Sequence, residues 1–533
     1  MNRRSRACER LIVTAGLAGA LAATPAPVRA AVAAFPGAEG YGAVATGGRG
    51  GPAVIVTTLA ARGPGSLQEA LDRAGPRVVV FAVSGVIEGD VEVTRADVTI
   101  AGQTAPGAGI TVHGRLSGAY DASVGNIVVR HLRVRPPPRL ETRADGARHD
   151  AIQFSRNTRV MLDHVTASWA SDETVDVYEA RDLTLQDSTV EESSLTGHPE
   201  GRHNYGFIAG PDSARISVLR TLFAHHFRRA PAFATGPAEM RGSVIYDVRD
   251  GFVHDNPAEG AFHVVGSVWK RGRSSRLAPF VLEDEDPSSG DVLYVVRDNR
   301  VDDPGSLVGS VVDPFAERGR HPSFAELPAG VDTGPDGPLP GMVYPARKLA
   351  AEEAYPLVLA RSGAFPRDVV TRRTVEDVRT RCGAWGAKPP PDLLAGLTPV
   401  APPEDADRDG IADAWERARG LSPAEPEDAK RPLDGEYTAL EVYVNELAEA
   451  LVRAAPPVAP DAEGPCPDVA PDFGEGRPAA KVVGCSCDAG GGTPAAPFEA
   501  LVAGLGVAAA LSAGRRAQRP PACSRRPRFS REA

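Results

Sequence analysis

The stretch that decides the fold runs from Asp150 to Asp176 and reads DAIQFSRNTRVMLDHVTASWASDETVD. Two short apolar strands, Val160–Leu162 and Val175–Val177, are separated by polar corners, a pattern that predicts two adjacent turns of a coiled β structure. The stretch holds five carboxylates, and the chain has no lysine before Lys270 to neutralise them. Carboxylates at strand ends without matching cations favour a hard metal ion, above all Ca²⁺, and a solvated acidic rim is the open alternative.

The spacing of Asp172 and Asp176 narrows this choice. On a strand the two side chains point the same way, but they lie about 13 Å apart along the backbone. Oxygen ligands sit only about 2.4 Å from Ca²⁺, so one ion cannot take both from a flat strand. Either the chain bends between them, or a substrate carboxylate and a further ion bridge the gap. Both outcomes indicate a site rather than a rim.

Composition limits the class of protein and its partners. The chain has 533 residues with 56 Gly, 48 Pro and only 6% aromatic residues, which is typical of turn-rich β structure rather than a helical bundle. Its net charge of −10 argues against nucleic acid as a partner. An anionic polymer would need local arginines or bound cations. We expect a monomer.

A short motif recurs along the chain, as in DVTIAGQT, NIVVRHLRV, RVMLDHVTAS, DLTLQDSTV and RISVLRTLF. Each copy alternates apolar residues, usually opens with Asp, Asn or Arg, and follows the previous one after roughly 22 to 33 residues. Such a period in all-β sequence predicts a solenoid whose coils stack strands into parallel sheets. Ser66 and Glu69 form a capping-box pattern that predicts one short helix near residues 66–74, covering the open N-terminal end of the core.

The two ends of the chain resemble targeting segments. Arg3, Arg4 and Arg6 precede an apolar run that is too short to span a membrane, so residues 1–30 are predicted to be a secretion signal. Near the C-terminus a Gly-Cys-Ser-Cys stretch from Gly484, a Gly/Pro spacer, a short apolar run and basic residues follow the logic of a sorting signal that contacts the membrane or cell surface. Cys382 stands alone in the main body, so no disulfide framework is predicted.

A second acidic motif follows a Pro-rich linker. It has the spacing of an EF-hand loop, with Gly410 in the middle, and predicts a Ca²⁺ site that serves stability or attachment rather than catalysis. A partial second copy at residues 434–441 has Lys430 and Pro432 where ligands belong, and we expect it to bind weakly or not at all. The predicted ligands are Asp405, Asp407, Asp409, Asp413 and Glu416.

The segments FPGAEGYG, TGGRGG, GPGSLQEAL, TIAGQTAPGAGI, LDHVTASWASDETVDVY and HHFRRAP together resemble a bacterial pectate lyase of polysaccharide lyase family 1, over roughly residues 34–386. The C-terminal tail resembles the myxobacterial sorting signal, including its GCSC start. The resemblance implies an all-β, right-handed parallel β-helix, export from a Gram-negative cell, and Ca²⁺-dependent β-elimination of polygalacturonate, an acidic polysaccharide.

The resemblance also implies roles for single residues. Asp150, Asp172 and Asp176 match calcium ligands of the family, and Arg229 falls on its catalytic arginine, the proposed base. The chain departs from the family at a second acidic ligand, which is Arg148 here, and at a second arginine, which is Ala234. The family's substrate-binding lysine has no counterpart, and His203 is the nearest candidate. These departures leave a related uronate polymer as substrate, or a non-catalytic polysaccharide-binding β-helix, as alternatives.

The predicted organisation has six segments. They are a signal peptide (1–30), a pectate lyase-like β-helix (31–388), a linker (389–402), an EF-hand or dockerin-like calcium module (403–452), a Pro/Gly-rich linker (453–482) and a sorting tail (483–533).

Overall fold

A computed structural model describes residues 32–273, 277–282, 292–303, 309–311, 336–462 and 464–466. These residues belong to one compact unit. The predicted signal peptide and sorting tail lie outside them and stay predictions, as do the domain boundaries. Within the described ranges, no helix is both long and apolar enough to cross a bilayer.

Short strands dominate the first three hundred residues. The first fourteen are β1 Ala53–Val56, β2 Arg77–Phe81, β3 Gly85–Glu88, β4 Val91–Val93, β5 Val98–Ala101, β6 Ile110–His113, β7 Leu116–Gly118, β8 Gly125–Arg130, β9 Leu132–Val134, β10 Ile152–Gln153, β11 Thr158–Asp163, β12 Thr166–Ser168, β13 Glu173–Val177 and β14 Arg181–Gln186. The next are β15 Thr189–Glu191, β16 Tyr205–Ala209, β17 Ala214–Leu219, β18 Leu222–Ala224, β19 Ala232–Thr235, β20 Ala238–Arg241, β21 Val244–Tyr246, β22 Asp250–Val265, β23 Val268–Lys270, β24 Ala278–Leu282, β25 Val292–Arg297, β26 Arg300–Asp303 and β27 Gly309–Val311.

From β2 onward each strand pairs in parallel with the third strand after it, up to the 16-residue strand β22. Sheet A contains β2, β5, β8, β11, β14, β17 and β20; sheet B contains β3, β6, β9, β12, β15, β18 and β21; sheet C contains β4, β7, β10, β13, β16 and β19. The early part of β22 continues sheet C, and its last residues continue sheet A. Three strands therefore complete one coil, and the chain forms a parallel β-helix.

Left-handed backbone residues set the corners of the coils. The polar residues that open the recurring motif, among them Asp97, Asn126 and Arg159, have φ values of 61°, 57° and 54°. From β8 onward another such residue follows the sheet A strands, as at His131 (φ 52°) and His164 (φ 51°). Non-glycine residues rarely adopt this conformation, and Asn, Asp and His do so most readily. The motif openers are thus corner residues.

The interior of the coils is filled by inward-pointing residues of all three sheets. Below sheet C a row of phenylalanine rings runs along the solenoid axis, from Phe207 through Phe233 and Phe252 to Phe280. Successive ring centroids are 6.2, 5.6 and 4.4 Å apart. Equivalent residues of neighbouring coils therefore stack, which is the expected packing for strands held in register.

In the described part of the chain, five α-helices lie around the solenoid: α1 Leu67–Asp72, α2 Ala351–Arg361, α3 Val369–Thr380, α4 Asp413–Arg419 and α5 Ala439–Arg453. Ser66 caps α1, and its hydroxyl accepts a hydrogen bond from the Glu69 N–H at 3.2 Å. Helices α2 and α3 pack on the outer face of sheet B through Val358 and Val378, among others. Asp368, the N-cap of α3, forms a buried ion pair with Arg135 at 2.9 Å.

The EF-hand-like segment packs on the outer face of sheet A. Its residues Leu440 and Val444 join Val78, Val80 and Ala101 of the solenoid in one apolar cluster. Polar contacts fix the same interface: Gln103 donates to the carbonyl of Val444 at 3.2 Å, and Arg49 pairs with Glu441 at 2.7 Å. A short hairpin of β28 Pro432–Asp434 and β29 Tyr437–Thr438 precedes α5. The segment is therefore continuous with the solenoid's packing.

One sequence-based expectation is wrong. Cys382 forms a disulfide with Cys466, and their Cα atoms are 5.3 Å apart. The partners are separated by 84 residues, so their spacing in the sequence gave no indication of the pair. The bond fastens the segment after α5 to the end of α3.

The packing of α5 leads to a test of the interface. Leu440 is buried against the solenoid, so Leu440→Ala should lower the free energy of unfolding by about 2–5 kcal/mol. Leu140→Ala is the matched control, because that side chain is 84% exposed and its loss should cost less than about 0.5 kcal/mol. Urea unfolding of the two variants beside the parent measures both values. Equal midpoints for all three proteins would show that this packing contributes nothing.

Candidate functional site

The three outer faces of the solenoid differ in what covers them. Sheet B carries α2 and α3, and sheet A carries α5 and the N-terminal 3-10 helix Tyr41–Val44, whose Gly42 N–H donates to Thr184 at 2.8 Å. Sheet C instead meets loops that join its strands to neighbouring coils. Asp150 and Asp172 lie just before the sheet C strands β10 and β13, which makes the outer face of sheet C the candidate location of a functional site.

Three carboxylates meet where β10 and β13 begin. Ile152 pairs with Val175, which places Asp150, two residues earlier, beside Glu173. Oxygens of Asp150, Asp172 and Glu173 all lie within 4.8 Å of one another, and all three side chains are buried. The chain therefore gathers three negative charges at one point of sheet C.

The electrostatics of this cluster favour a bound cation. Burial, with repulsion from Asp176 and Glu173, raises the pKa of Asp150 well above its usual range. Burial and Glu173 raise the pKa of Asp176 to about 7. Oδ1 of Asp150 and Oδ1 of Asp176 accept no hydrogen bond from any described residue. Buried carboxylate oxygens that lack donors and repel one another fit a hard divalent cation such as Ca²⁺.

Asp176 lies at the edge of this arrangement. Among the described residues it belongs to no set of three ligand atoms within 4.8 Å, and its Oδ2 accepts a hydrogen bond from Gln153 at 2.8 Å. The chain bends before β13, so Asp172 faces Asp150 rather than lying on a flat strand with Asp176. Arg115 approaches Asp150 to 3.6 Å from the neighbouring coil.

Arg229 reaches the same cluster from two coils away. Glu173, Tyr205 and Arg228 occupy matching positions on successive coils of sheet C, and Arg229 follows with a left-handed backbone (φ 62°). Its guanidinium lies 4.7 Å from the centroid of the Tyr205 ring, and Nη1 donates to Oε1 of Glu173. The predicted catalytic arginine and two of the predicted ligands are thus joined through Glu173, for which the sequence assigned no role.

His203 belongs to the loop that covers Asp172. Its Nε2 is 3.4 Å from Oδ1 of Asp172, and its ring stacks on His198 with centroids 3.5 Å apart. The Tyr205 ring contacts it in a tilted arrangement, with centroids 4.0 Å apart. Burial, then the neighbouring His198 and Arg229, lower the pKa of His203, so the ring is neutral near pH 7. His198 and Tyr205 were not singled out in the sequence. The only indication in the sequence that these two residues belong to the site is their position near His203 along the chain.

Arg148 and Ala234, the two positions at which the chain departs from the pattern of the resemblance, do not contribute a charged group to the cluster. Arg148 ends a 3-10 helix and its side chain is exposed. Ala234 is fully buried on β19. The acidic ligand and second arginine that the resemblance implies are therefore absent from these positions. Arg115 and Arg229 contact the carboxylates of the cluster.

The EF-hand-like loop forms a second carboxylate cluster. Oxygens of Asp405, Asp407 and Asp409 lie within 4.8 Å of one another, and a second set joins Asp409 to Glu416 and Asp428. Glu416 is fully buried, and neither of its oxygens has a hydrogen-bond donor among the described residues. Burial and neighbouring carboxylates raise the pKa of Glu416 to about 7, and that of Asp409 also rises to about 7. This oxygen-only set also fits Ca²⁺.

The ligand set of this loop differs from the sequence pattern at one position. Asp413 accepts a hydrogen bond from the Ala406 N–H at 2.8 Å and pairs with Arg417 at 2.9 Å, so both of its oxygens are engaged. Asp428 points into the cluster from outside the loop. The pattern could not reveal Asp428, because the residue belongs to the following 3-10 helix Asp428–Lys430.

No family model matches the chain. A probable pectate lyase C of Neosartorya fischeri is 31% identical over 436 residues, covering 78% of this chain and 94% of the relative, and that of Emericella nidulans is 32% identical over 435 residues, covering 78% and 93%. The crystal structure of a pectate lyase from Bacillus sp. N165 in complex with trigalacturonate matches with a TM-score of 0.44 at 15% identity, over 62% of this chain and 99% of that one. With 31–32% of the aligned residues identical along nearly the whole length of the fungal proteins, the chain belongs to the pectate lyases and is a polysaccharide lyase.

Proposed function

We propose that the protein is a Ca²⁺-dependent lyase that cleaves polygalacturonate, or a related uronate polymer, by β-elimination. The observation that carries the proposal is the buried set of Asp150, Asp172 and Glu173 with Arg229 in direct contact. The relatives are named pectate lyases, which supports a polyuronate as substrate. The alternative, a non-catalytic polysaccharide-binding solenoid, is disfavoured by the same relatives.

The aspartates and Arg229 have separate roles in the proposed reaction. Asp150, Asp172 and Asp176 would hold Ca²⁺, which supplies positive charge to the substrate carboxylate as negative charge develops there. Arg229 lies beside these ligands. We assign it the role of the base, which accepts the proton removed from the carbon next to that carboxylate. A double bond then forms to the neighbouring carbon, whose bond to the glycosidic oxygen breaks, and that oxygen gains a proton. The arginine guanidinium is almost always protonated in proteins and can accept a proton only after losing one, so turnover should rise with pH.

We also propose that the protein acts outside the cytoplasm. The Cys382–Cys466 disulfide supports this, because such bonds persist in oxidising compartments and are rare in the cytosol. Retention at a surface through residues 483–533, and a Gram-negative source with myxobacterial-type sorting, stay predictions. The pectate lyase C relatives compared above are fungal.

The EF-hand-like segment is proposed to bind a second Ca²⁺ for stability. Asp405, Asp407, Asp409 and Glu416 remain the proposed ligands from the sequence, and Asp428 takes the place of Asp413. Gly410, at φ 88°, lies against Ala53 and Val80, so the loop rests directly on the first coils. Occupancy of this loop should therefore stabilise the N-terminal end of the solenoid.

The proposed function is tested with polygalacturonate. Elimination leaves an unsaturated product that absorbs in the ultraviolet, and we expect its formation to stop with a chelator and resume with added Ca²⁺. Arg229→Lys keeps the charge but loses the planar fork, so it should lower kcat by about 10²–10³-fold with KM changed less than about threefold.

Arg215→Lys is the matched control for Arg229→Lys. Arg215 also has a left-handed backbone (φ 61°) and is paired, with Asp182, but it lies on sheet A. It should retain kcat within about twofold. Chelator-resistant product formation would contradict the Ca²⁺ requirement, and near-normal turnover of Arg229→Lys would remove Arg229 from the mechanism.

The raised pKa values predict how stability depends on pH. Asp176, Asp409 and Glu416 have pKa values of about 7 in the metal-free fold, against about 4 when unfolded. Their protonated forms stabilise the fold below about pH 4, and this contribution is lost as pH rises through 7. The Tm in chelator should therefore fall between pH 5 and 8, and Ca²⁺ should raise Tm more at pH 8 than at pH 5.

Two variants in the EF-hand-like segment check this pH dependence. Asp409→Asn removes one titrating group and should flatten the fall of Tm with pH, whereas Asp434→Asn, at an exposed position of the same segment, should not. Thermal unfolding followed by circular dichroism gives all the values. A metal-free Tm that increases steadily from pH 5 to 8 would be inconsistent with these buried carboxylates.

The ligand set of the second site gives a separate prediction. Asp428→Asn should weaken Ca²⁺ binding by the loop at least about tenfold, because it removes a converging carboxylate. Asp413→Asn should weaken it less, since both oxygens of Asp413 are engaged by Ala406 and Arg417. Calorimetric titration of the two variants measures the difference. The reverse order would restore the ligand set that the sequence pattern predicts.

A further inference from the structure

Glu173 belongs to two sets of interactions at once. One of its oxygens lies within 4.8 Å of oxygens of Asp150 and Asp172, the proposed Ca²⁺ ligands. Its Oε1 also accepts a hydrogen bond from Nη1 of Arg229, the proposed catalytic group. Its side chain is only 6% exposed, so water cannot screen either set strongly. Glu173 is thus the direct link between metal ligands and the arginine.

We propose that Glu173 couples metal binding to the position of Arg229: without metal it holds the guanidinium, and on Ca²⁺ binding it becomes a ligand and releases Arg229 toward the substrate. This inference rests on the proposed function and deepens it. It makes Glu173 a positioning residue for Arg229 as well as an additional ligand.

The physical basis is competition between two cations for one carboxylate. A guanidinium in contact with Glu173 repels a divalent cation that binds the same group, and the repulsion is strong because both side chains are buried. A change that weakens the Glu173–Arg229 ion pair must therefore raise the affinity for Ca²⁺. Conversely, bound Ca²⁺ must lower the equilibrium constant of the ion pair by the same factor. The coupling is a property of two equilibria, so binding measurements can detect it without turnover.

The surroundings of Arg229 allow such a release. The backbone is fixed by its place after the bridge between Arg228 and Tyr205, so only the side chain needs to move. The Tyr205 ring, 4.7 Å from the guanidinium, offers a face on which the cation stays supported after Glu173 is withdrawn. Released in this way, Arg229 remains at the metal cluster but gives up its carboxylate partner.

A double-mutant cycle on the full chain tests the coupling. Ca²⁺ titration calorimetry should resolve two sites, and Asp407→Asn identifies the one in the EF-hand-like loop. At the sheet C site, Glu173→Gln should weaken Ca²⁺ binding at least about tenfold. Arg229→Gln should tighten it about tenfold, and Glu173→Gln/Arg229→Gln should match Glu173→Gln alone within about twofold. Arg229→Met repeats the test should the glutamine variant fail to fold.

Arg115→Gln is the control for simple charge removal. Arg115 lies 3.6 Å from Asp150, a different carboxylate of the cluster, so its loss should tighten Ca²⁺ binding equally with and without Glu173. If Arg229→Gln behaves in that same way in both backgrounds, or if Glu173→Gln leaves the affinity unchanged, the coupling is overturned. If the parent shows only the site that Asp407→Asn removes, the proposed Ca²⁺-dependent function itself fails.

Discussion

The left-handed corner residue is the constraint on which the rest of the fold depends. From β8 onward, a bend of one residue after each sheet A strand lets the next strand start sheet B at once, so the coils stay in register. Non-glycine residues pay roughly 1 kcal/mol or more for this conformation, and contacts between coils offset it. His131 stacks on His164 at 4.8 Å, and Arg220 pairs with Asp187 at 2.9 Å, all four with φ near 50°. Residues under backbone strain thus support one another along the solenoid.

Covering two faces of the solenoid determines where chemistry can occur. Helices α2 and α3 on sheet B, and α5 on sheet A, bury apolar residues and stabilise the fold. The loops over sheet C bury carboxylates instead, and buried carboxylates cost free energy unless a cation or hydrogen-bond donor compensates. Asp150 and Asp176, with raised pKa values, are the expected signature of a site whose charge balance is completed from outside. Buried carboxylates thus lower the stability of the metal-free fold at sheet C, as they do in the EF-hand-like loop.

Features that repeat along the chain could be predicted from the sequence. Contacts between residues that are far apart in the sequence could not. The recurring strands and their polar openers predicted parallel coils, because each coil repeats the same local conformation. The convergence of Asp150 and Asp172 followed from neighbouring coils. Glu173 was overlooked because alternation on a strand separates it from Asp172, whereas the bend before β13 brings them together. Asp428 and Cys466 lie outside any local motif, and only packing brings them to their partners.

The contact between Glu173 and Arg229 changes how an arginine base should be understood. A guanidinium in a buried ion pair is held in its protonated form, since losing the proton would leave the carboxylate uncompensated. In that state Arg229 contributes charge and cannot accept a proton. A divalent cation bound at Asp150 and Asp172 would compete with the guanidinium for that carboxylate. By withdrawing Glu173, the same cation would free Arg229 from the partner that holds it protonated, so metal binding beside the substrate carboxylate and release of the arginine would occur together.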